Sequence, residues 1–304
     1  MIDRLSRVRT ADLFTRKHPT SPLGRLVQFP LVRVLVLVLF LFPAILSHNL
    51  IVIHGLERLE SRWFEVGFGL LFPVDLLLWF FFYRLYTRWI EGRTALELSL
   101  DGAVTELLAG FGLAAAVVGV SLAALAVTGS YHVVGSESPW TLLYALCFFG
   151  SGAFVQVMIF RIVLYRLTEE WVGTWMAFLA TGILFSLAHL GNENITPVAF
   201  LLFMLGDLPF LAAFALTRRL WLVWGFHTGW NFLQDGVLGM PNSGISSLPS
   251  FFEAEVTGPR WLSGGPFGIE ASFLTTALAL GFGIWMIVLI VKKGQVVPPA
   301  WRRP

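Results

Sequence analysis

Three polar residues recur at four-residue intervals in an otherwise apolar and aromatic stretch. The segment GFHTGWNFLQD carries His227 and Asn231 four positions apart, and Asp235 follows after four more. On a helix this spacing places all three side chains along one face. In a membrane such a face must contact protein or water, so it either holds helices together by hydrogen bonds or forms a site. In a site, imidazole and amide donors would stabilise an oxyanion during chemistry at a carbonyl carbon.

Polar residues also interrupt two apolar segments further upstream. In FVQVMIFR, Gln156 and Arg161 are five positions apart, within an apolar run that extends from about Trp140 to Tyr165. His189 ends the next apolar run, in FSLAHLGNEN. Ionisable groups at membrane depth are costly, so each is a candidate for function until a structural partner is found. The remaining candidates of this kind are Asp75, Glu106 and Asp207.

The composition predicts the scaffold that must position these residues. The chain has 304 residues, of which 56% are hydrophobic and 13% charged, and its mean hydropathy is +0.75. Its apolar blocks have about the length that a helix needs to cross roughly 30 Å of hydrocarbon. We therefore predict an all-α, polytopic membrane bundle with about eight transmembrane helices. The predicted spans are residues 34–53, 66–86, 103–128, 140–165, 172–190, 197–216, 220–240 and 269–291.

The spans form a single predicted bundle, residues 34–291, between a basic tail (1–33) and a second tail (292–304). All but three of the 21 Lys and Arg residues fall on one side of this topology, so both termini are predicted to be cytoplasmic. The longest outer connection, 241–268, is rich in Gly, Pro and Ser and is expected to lie on the membrane interface or to cap a cavity. A net charge of +2 is too small to indicate nucleic acid as a partner.

Two of the motifs resemble the signature of a known family. Phe185 and His189 match a Phe-x-x-x-His pattern, and His227 and Asn231 match a His-x-x-x-Asn pattern. They occur in the order found in the CAAX-protease-like intramembrane peptidases, also called CPBP or abortive-infection-type proteins. The resemblance covers about residues 140–245. It implies an integral protein of a bacterial inner (plasma) membrane that hydrolyses peptide bonds in a prenylated or otherwise membrane-tethered substrate.

The first motif of that family, Glu-Glu-x-x-x-Arg, is degenerate in this sequence. Arg161 takes the arginine position, so Gln156 and Val157 stand where the two glutamates belong. The resemblance implies that the first glutamate and His189 activate water, and that His227 and Asn231 hold the oxyanion. It also implies a divalent metal such as zinc, for which His189 and His227 would be the remaining ligands. Because an amide cannot take up a proton at working pH, hydrolysis is expected to be impaired.

The loss of the second glutamate also affects Arg161. Val157 cannot pair with the guanidinium, which is therefore expected to extend toward the cytoplasmic interface. Glu169 and Glu170 do not replace the missing pair, since no arginine follows them at the right spacing. Glu170 is instead placed to pair with Arg166, one helical turn away.

A substitute base would have to be one of the intramembrane acids. Asp235 is a candidate because it shares a predicted helix face with His227 and Asn231. Helix depth raises a difficulty, since His189 lies about 27 Å from the cytoplasmic end of its span and His227 only about 12 Å. Tilted helices or different span ends would have to close this gap. The other candidate bases are Glu106, Asp75 and Asp207.

The sequence leaves three functional hypotheses. The first is a CPBP-type endopeptidase, and the second is a catalytically silent homologue whose cavity binds a membrane segment, a peptide or a lipid. The third is a transporter that uses the intramembrane acids. Replacement of the two glutamates favours the second hypothesis over the first, whereas His189, His227 and Asn231 fit either. The expected partners are membrane lipids and a prenylated or transmembrane peptide, and not nucleic acid.

Overall fold

Apolar helices make up most of the structure. A computed structural model describes residues 8, 10–15, 17, 20–56, 62–245 and 250–303. The helices are α1 (Pro22–Gln28), α2 (Pro30–Leu56), α3 (Arg62–Tyr86), α4 (Ala103–Val127), α5 (Trp140–Val157), α6 (Arg166–Val172), α7 (Thr174–Ala188), α8 (Pro197–Gly206), α9 (Leu208–Thr217), α10 (Leu220–Asn231), α11 (Arg260–Ser263) and α12 (Phe273–Lys292). π-Helical turns occupy Thr87–Glu91, Met158–Tyr165 and Phe232–Val237. Sequence predictions that fall outside the described residues concern Arg4, Arg7, Arg9 and Arg16 of the basic tail, Arg58, and residues 246–249 of the outer connection.

Five helical stretches among the described residues are long and apolar enough to cross a membrane. They are Pro30–Leu50, Ala103–Val127, Trp140–Val172, Pro197–Thr217 and Phe273–Lys292. The other predicted spans, 66–86, 172–190 and 220–240, also fold mainly as helices. The all-α, polytopic membrane bundle is therefore confirmed, and the number of eight crossings stays a prediction.

One end of the bundle is held together by buried ion pairs. Arg166 of α6 binds Glu91, with 2.8 Å between Nη2 and Oε1, and Arg33 of α2 binds the same carboxylate. Arg33 also contacts Glu170 at 2.8 Å, and the predicted pair between Arg166 and Glu170 is confirmed at 3.9 Å. We call this region the arginine-rich end. Further ion pairs among the described residues of this end are Arg93–Glu91, Arg93–Glu97, Arg166–Glu97, Arg218–Glu169 and Arg219–Glu106.

The opposite end carries a two-stranded antiparallel sheet that the sequence analysis did not predict. Strand β1 (Tyr131–Ser136) follows α4, and β2 (Phe252–Val256) lies within the connection 241–268. The hydroxyl of Tyr131 donates to the carbonyl oxygen of Leu238 at 2.9 Å. The sheet and this bond tie the connection to the end of α4 and to the turn that follows α10. They thereby fix the segment that covers this end of the bundle.

Candidate functional site

A cavity of about 520 Å³ lies within the bundle. Its walls come from α5, α7, the α8–α9 junction, α10 and the start of α12, and residues 242–245 contribute to its cap. Three residues of the connection 241–268, namely Asn242, Ser243 and Ile245, thus line the cavity, and the capping by the whole connection stays a prediction. Aromatic walls with a few polar groups are typical of a ligand site. The predicted site residues that line the cavity are Gln156, His189, His227, Asn231 and Asp235.

The close approach of α10 to α4 determines where His227 and Asn231 point. Gly225 and Gly229 lie on either side of His227, and a methyl group at Gly225 would overlap the carbonyl oxygen of Leu107 on α4. Small residues at this spacing allow two helix backbones to approach closely. His227 and Asn231 lie on another face of α10, one turn apart, and both border the cavity. Their predicted common face is therefore confirmed.

His189 lies just beyond the last residue of α7 and folds back onto that helix. Its Nδ1 donates to the carbonyl oxygen of Phe185 at 2.8 Å, so the neutral ring keeps a lone pair on Nε2. The Phe185 ring centroid is 4.6 Å from that of His189 and 6.3 Å from that of His227. His189 and His227 therefore line the same cavity, although the sequence placed them at different depths in their predicted spans. His189 turns its ring toward the start of α7, and Phe185 contacts both imidazoles.

The two substituted positions of the degenerate motif have different surroundings. Gln156 lines the cavity, and its buried Oε1 has no hydrogen-bond partner among the described residues. Val157 is 1% exposed and packs into the hydrophobic core. Neighbouring residues on a helix point about 100° apart, which explains the difference. Position 156 can therefore contact a ligand, whereas position 157 contacts only protein.

Arg161 is buried and paired, so the expectation that it extends toward the interface is wrong. The residue is 2% exposed, and its guanidinium binds the carboxylate of Asp207 at the α8–α9 junction. The guanidinium also lies over the Phe185 ring, 4.9 Å from the centroid. Because a carboxylate from another helix neutralises its charge, Arg161 does not need to reach water. Asp207 thus supplies the counter-charge that Val157 cannot give.

Two acids without an ion-pair partner in the described chain line the side of the cavity near its cap. Asp235 accepts a hydrogen bond from the Ser250 hydroxyl at 2.9 Å, and its buried Oδ2 has no partner among the described residues. Glu270 accepts from the backbone N–H and hydroxyl of Ser243, at 2.8 and 3.0 Å, and from the amide of Gln234 at 3.1 Å.

Glu270 is a site residue that the sequence analysis missed. It stands alone among apolar and small residues in GIEASFL, immediately before α12. A single acid at the start of an apolar span is costly unless it faces protein or a cavity. That context is the signal in the sequence that would have identified it.

Two of the acids considered as substitute bases lie away from the cavity. Glu106 contacts Arg219 at 3.3 Å, at the arginine-rich end. Asp75 contacts the Nδ1 atom of His48 at 2.8 Å. Neither acid lines the cavity. Of the four candidates, only Asp207 and Asp235 reach it, and Asp207 is already paired with Arg161.

The side chains present do not fit the zinc centre that the resemblance implied. His189 and His227 both line the cavity, but no group of three or more His, Cys, Asp or Glu side chains in the described chain is arranged to hold a metal ion. Zinc sites in proteins use three or four ligands of these types. Gln156 offers only a neutral amide where the family has a carboxylate.

Comparison with known protein families agrees with the motifs. Residues 138–233, just under a third of the chain, match the family model described as type II CAAX prenyl endopeptidase Rce1-like. The fold is that of a helical integral membrane protein, and its residues 138–233 are similar to the CAAX-protease-like class. The match confirms the resemblance seen in the motifs and supports a CAAX-protease-like family assignment for this chain. No curated protein and no solved structure matches the chain.

Proposed function

We propose that this protein binds a membrane-tethered peptide in its cavity without hydrolysing it by the glutamate-dependent route of its family. It would then be a catalytically silent relative of the CAAX-type intramembrane proteases that the family match indicates. The proposed ligand is a prenylated or transmembrane peptide, because the matched family model is that of a prenyl endopeptidase and the cavity lies within the apolar bundle. The observation that carries the proposal is Gln156 in the cavity wall, at the position of the family's base.

The polar groups that remain are suited to holding a peptide carbonyl. His227 and Asn231 border the cavity one helical turn apart, and both side chains offer N–H donors. Hydrogen bonds of this kind are stronger in a cavity from which water is excluded. They can bind the carbonyl oxygen in its ground state, which gives affinity. Hydrolysis additionally requires a group that activates water in the transition state.

That activating group is weak at this site. The amide of Gln156 can position a water molecule but cannot remove its proton. His189 offers Nε2 as an acceptor, but its Nδ1 donates to the neutral carbonyl of Phe185. In catalytic triads a carboxylate at this place stabilises the imidazolium that forms. A neutral carbonyl gives much less stabilisation, so His189 is a poor base here.

A second candidate function is hydrolysis with Asp235 as a substitute base. One observation favours it. Asp235 lines the same cavity as His227 and Asn231, and its buried Oδ2 atom has no hydrogen-bond partner in the described chain. In that case the protein as it stands would cleave peptides, and Asp235→Asn would abolish cleavage. Transport by means of the intramembrane acids is the least supported hypothesis, because Asp75 and Glu106 have structural partners elsewhere.

The test compares the wild-type protein with Gln156→Glu, and with Gln156→Met as a control of similar length. Each protein is reconstituted in nanodiscs with a single-span peptide that carries a photoreactive residue. Crosslinking then reports binding, and mass spectrometry reports cleavage. We expect all three proteins to crosslink and only Gln156→Glu to cleave. Val157 needs no change, because Asp207 already pairs with Arg161. Cleavage by the wild type, or failure of the wild type to crosslink any peptide, would contradict the proposal.

We also propose a bacterial inner membrane, with both termini and the arginine-rich end in the cytoplasm and the cavity cap outside. The excess of Lys and Arg on one side of the predicted topology supports this orientation. The test uses Ser138→Cys and Ala300→Cys, two exposed positions at opposite ends, in a Cys147→Ser background. A membrane-impermeant maleimide should label only the Ser138→Cys protein in intact cells. Labelling of only the Ala300→Cys protein would reverse the orientation.

A further inference from the structure

Buried acids in the described chain fall into two groups. The members of the first group form ion pairs with an arginine or a histidine. Asp235 and Glu270 form the second group, because no ion pair involves either of them among the described residues. Both line the same cavity, and Gln234, the neighbour of Asp235 in the chain, donates to Glu270 at 3.1 Å. The acids of the first group are Asp75, Glu91, Glu97, Glu106, Glu169 and Asp207.

The cavity itself supplies no cation to neutralise these two acids. Among the described residues, no lysine or arginine lines it, and the nearby Arg161 is engaged by Asp207. Glu270 is held by neutral donors from Ser243 and Gln234, which stabilise a carboxylate without cancelling its charge.

The environment of Asp235 indicates that the missing donor comes from a ligand. The residue is 3% exposed, and Oδ1 accepts from the Ser250 hydroxyl. Oδ2 is buried and has no hydrogen-bond partner in the described chain. A buried acceptor without a donor carries a desolvation penalty, and native structures rarely leave one without a reason. A bound group with several N–H donors would remove that penalty.

We propose that Asp235 and Glu270 form an anionic subsite that binds the ammonium group of a lysine side chain in the bound peptide. This inference rests on the proposed function, since it assigns a specificity to the same cavity. An ammonium group has three donors on a compact charge and can therefore contact two carboxylates that come from different elements. Aromatic residues such as Phe148 and Phe149 line the same cavity and offer an apolar surface to the methylene stem of the lysine.

The experiment measures how strongly the cavity prefers a lysine. The probes are single-span peptides of one sequence that carry Lys, norleucine or Glu at one position near the outer end. Their affinities are measured in phosphatidylcholine nanodiscs for the wild type, Asp235→Asn and Glu270→Gln. Glu255→Gln is the matched control, because Glu255 is an exposed acid of β2 that does not line the cavity. Thermal unfolding of each variant shows whether it is folded.

We expect the wild type and Glu255→Gln to bind the Lys peptide about 10-fold or more tightly than the norleucine peptide, as a charge-assisted hydrogen bond in a buried site predicts. Asp235→Asn and Glu270→Gln should each lose most of this preference and still bind the norleucine peptide. Because the two substitutions lie on different elements, a folding defect in one leaves the other as a test.

Two results in phosphatidylcholine nanodiscs would overturn the inference and leave the proposed function intact. One is equal affinity of the wild type for the Lys and norleucine peptides. The other is a Lys preference that persists in a folded Glu270→Gln or Asp235→Asn protein. If no peptide binds at all, the proposed function itself fails. Addition of phosphatidylethanolamine tests a lipid ammonium as the occupant, and loss of the Lys preference in its presence would overturn the assignment to a peptide.

Discussion

Replacement of Asp207 by Ala should leave the guanidinium of Arg161 buried without a counter-charge. The two side chains are 1% and 2% exposed, so solvent cannot screen the charge that remains. Removal of one partner from a buried ion pair typically costs about 3–5 kcal/mol of unfolding free energy. The Phe185 ring, 4.9 Å from the guanidinium carbon, offsets part of this loss. We therefore expect a loss near the lower limit, about 3 kcal/mol.

The same reasoning predicts a rescue by the residue that the family has at position 157. Val157→Glu alone should be destabilising, because it adds a carboxylate beside an arginine that is already paired. In the Asp207→Ala background it supplies the missing counter-charge from within one helical turn of Arg161. The double variant should therefore be more stable than the sum of the single effects predicts, by about 2 kcal/mol. Val118→Glu is the control, since Val118 is 1% exposed in α4, a helix without arginine.

The assay is denaturant unfolding in detergent micelles, followed by the fluorescence of the 12 tryptophans. Unfolding free energies of the wild type, the single variants and the double variants give the coupling energy directly. Additive effects of Asp207→Ala and Val157→Glu would refute the view that Asp207 has replaced the motif glutamate as partner of Arg161. A rescue of equal size by Val118→Glu would refute it as well, because the effect would then not depend on proximity to Arg161.

Two further predictions concern the scaffold. Burial by itself would raise the pKa of Glu91, but Arg166, Arg93 and Arg33 lower it from 4.5 to about 2. The stabilisation by Glu91 is therefore complete above about pH 4.5 and is lost as the pH falls from there toward 2, by about 3 kcal/mol in all. The unfolding free energies of the wild type and Glu91→Gln should therefore differ by a constant amount at neutral pH and converge below pH 4.5. A difference that stays constant down to pH 2 would contradict this role of Glu91. Gly225→Ala should lower the unfolding free energy by about 1–3 kcal/mol, because the added methyl group clashes with Leu107. Gly112→Ala is the control and should leave the unfolding free energy unchanged, because there is open space around Gly112. Equal unfolding midpoints for the two variants would refute the packing argument.

Local spacing was sufficient to predict the members of the site that belong to one helix. His227 and Asn231 share a face of α10 because the helical repeat places positions four apart side by side. The length and apolarity of the segments predicted the helices themselves. The motifs and the family match, residues 138–233, cover the part of the chain that contributes α5, α7, the α8–α9 junction and α10 to the cavity walls.

Contacts between distant segments could not be predicted in this way. The pairing of Arg161 with Asp207 joins residues 46 positions apart, and Glu270 reaches the cavity from the start of α12. The β1–β2 sheet joins segments separated by more than 100 residues. Each depends on how helices pack and on where the chain turns, and neither propensity nor periodicity contains that information.

The sequence by itself therefore determined the membrane bundle, the degenerate motif and the chemical limit that an amide at position 156 imposes on proton transfer. These follow from residue types and from short-range periodicity. Only the tertiary structure decided that Arg161 is neutralised by Asp207 and that Asp235 and Glu270 share the cavity with the histidines. The physical reason is that the free energy of a buried charge depends on its neighbours in space, and in this protein those neighbours come from different helices.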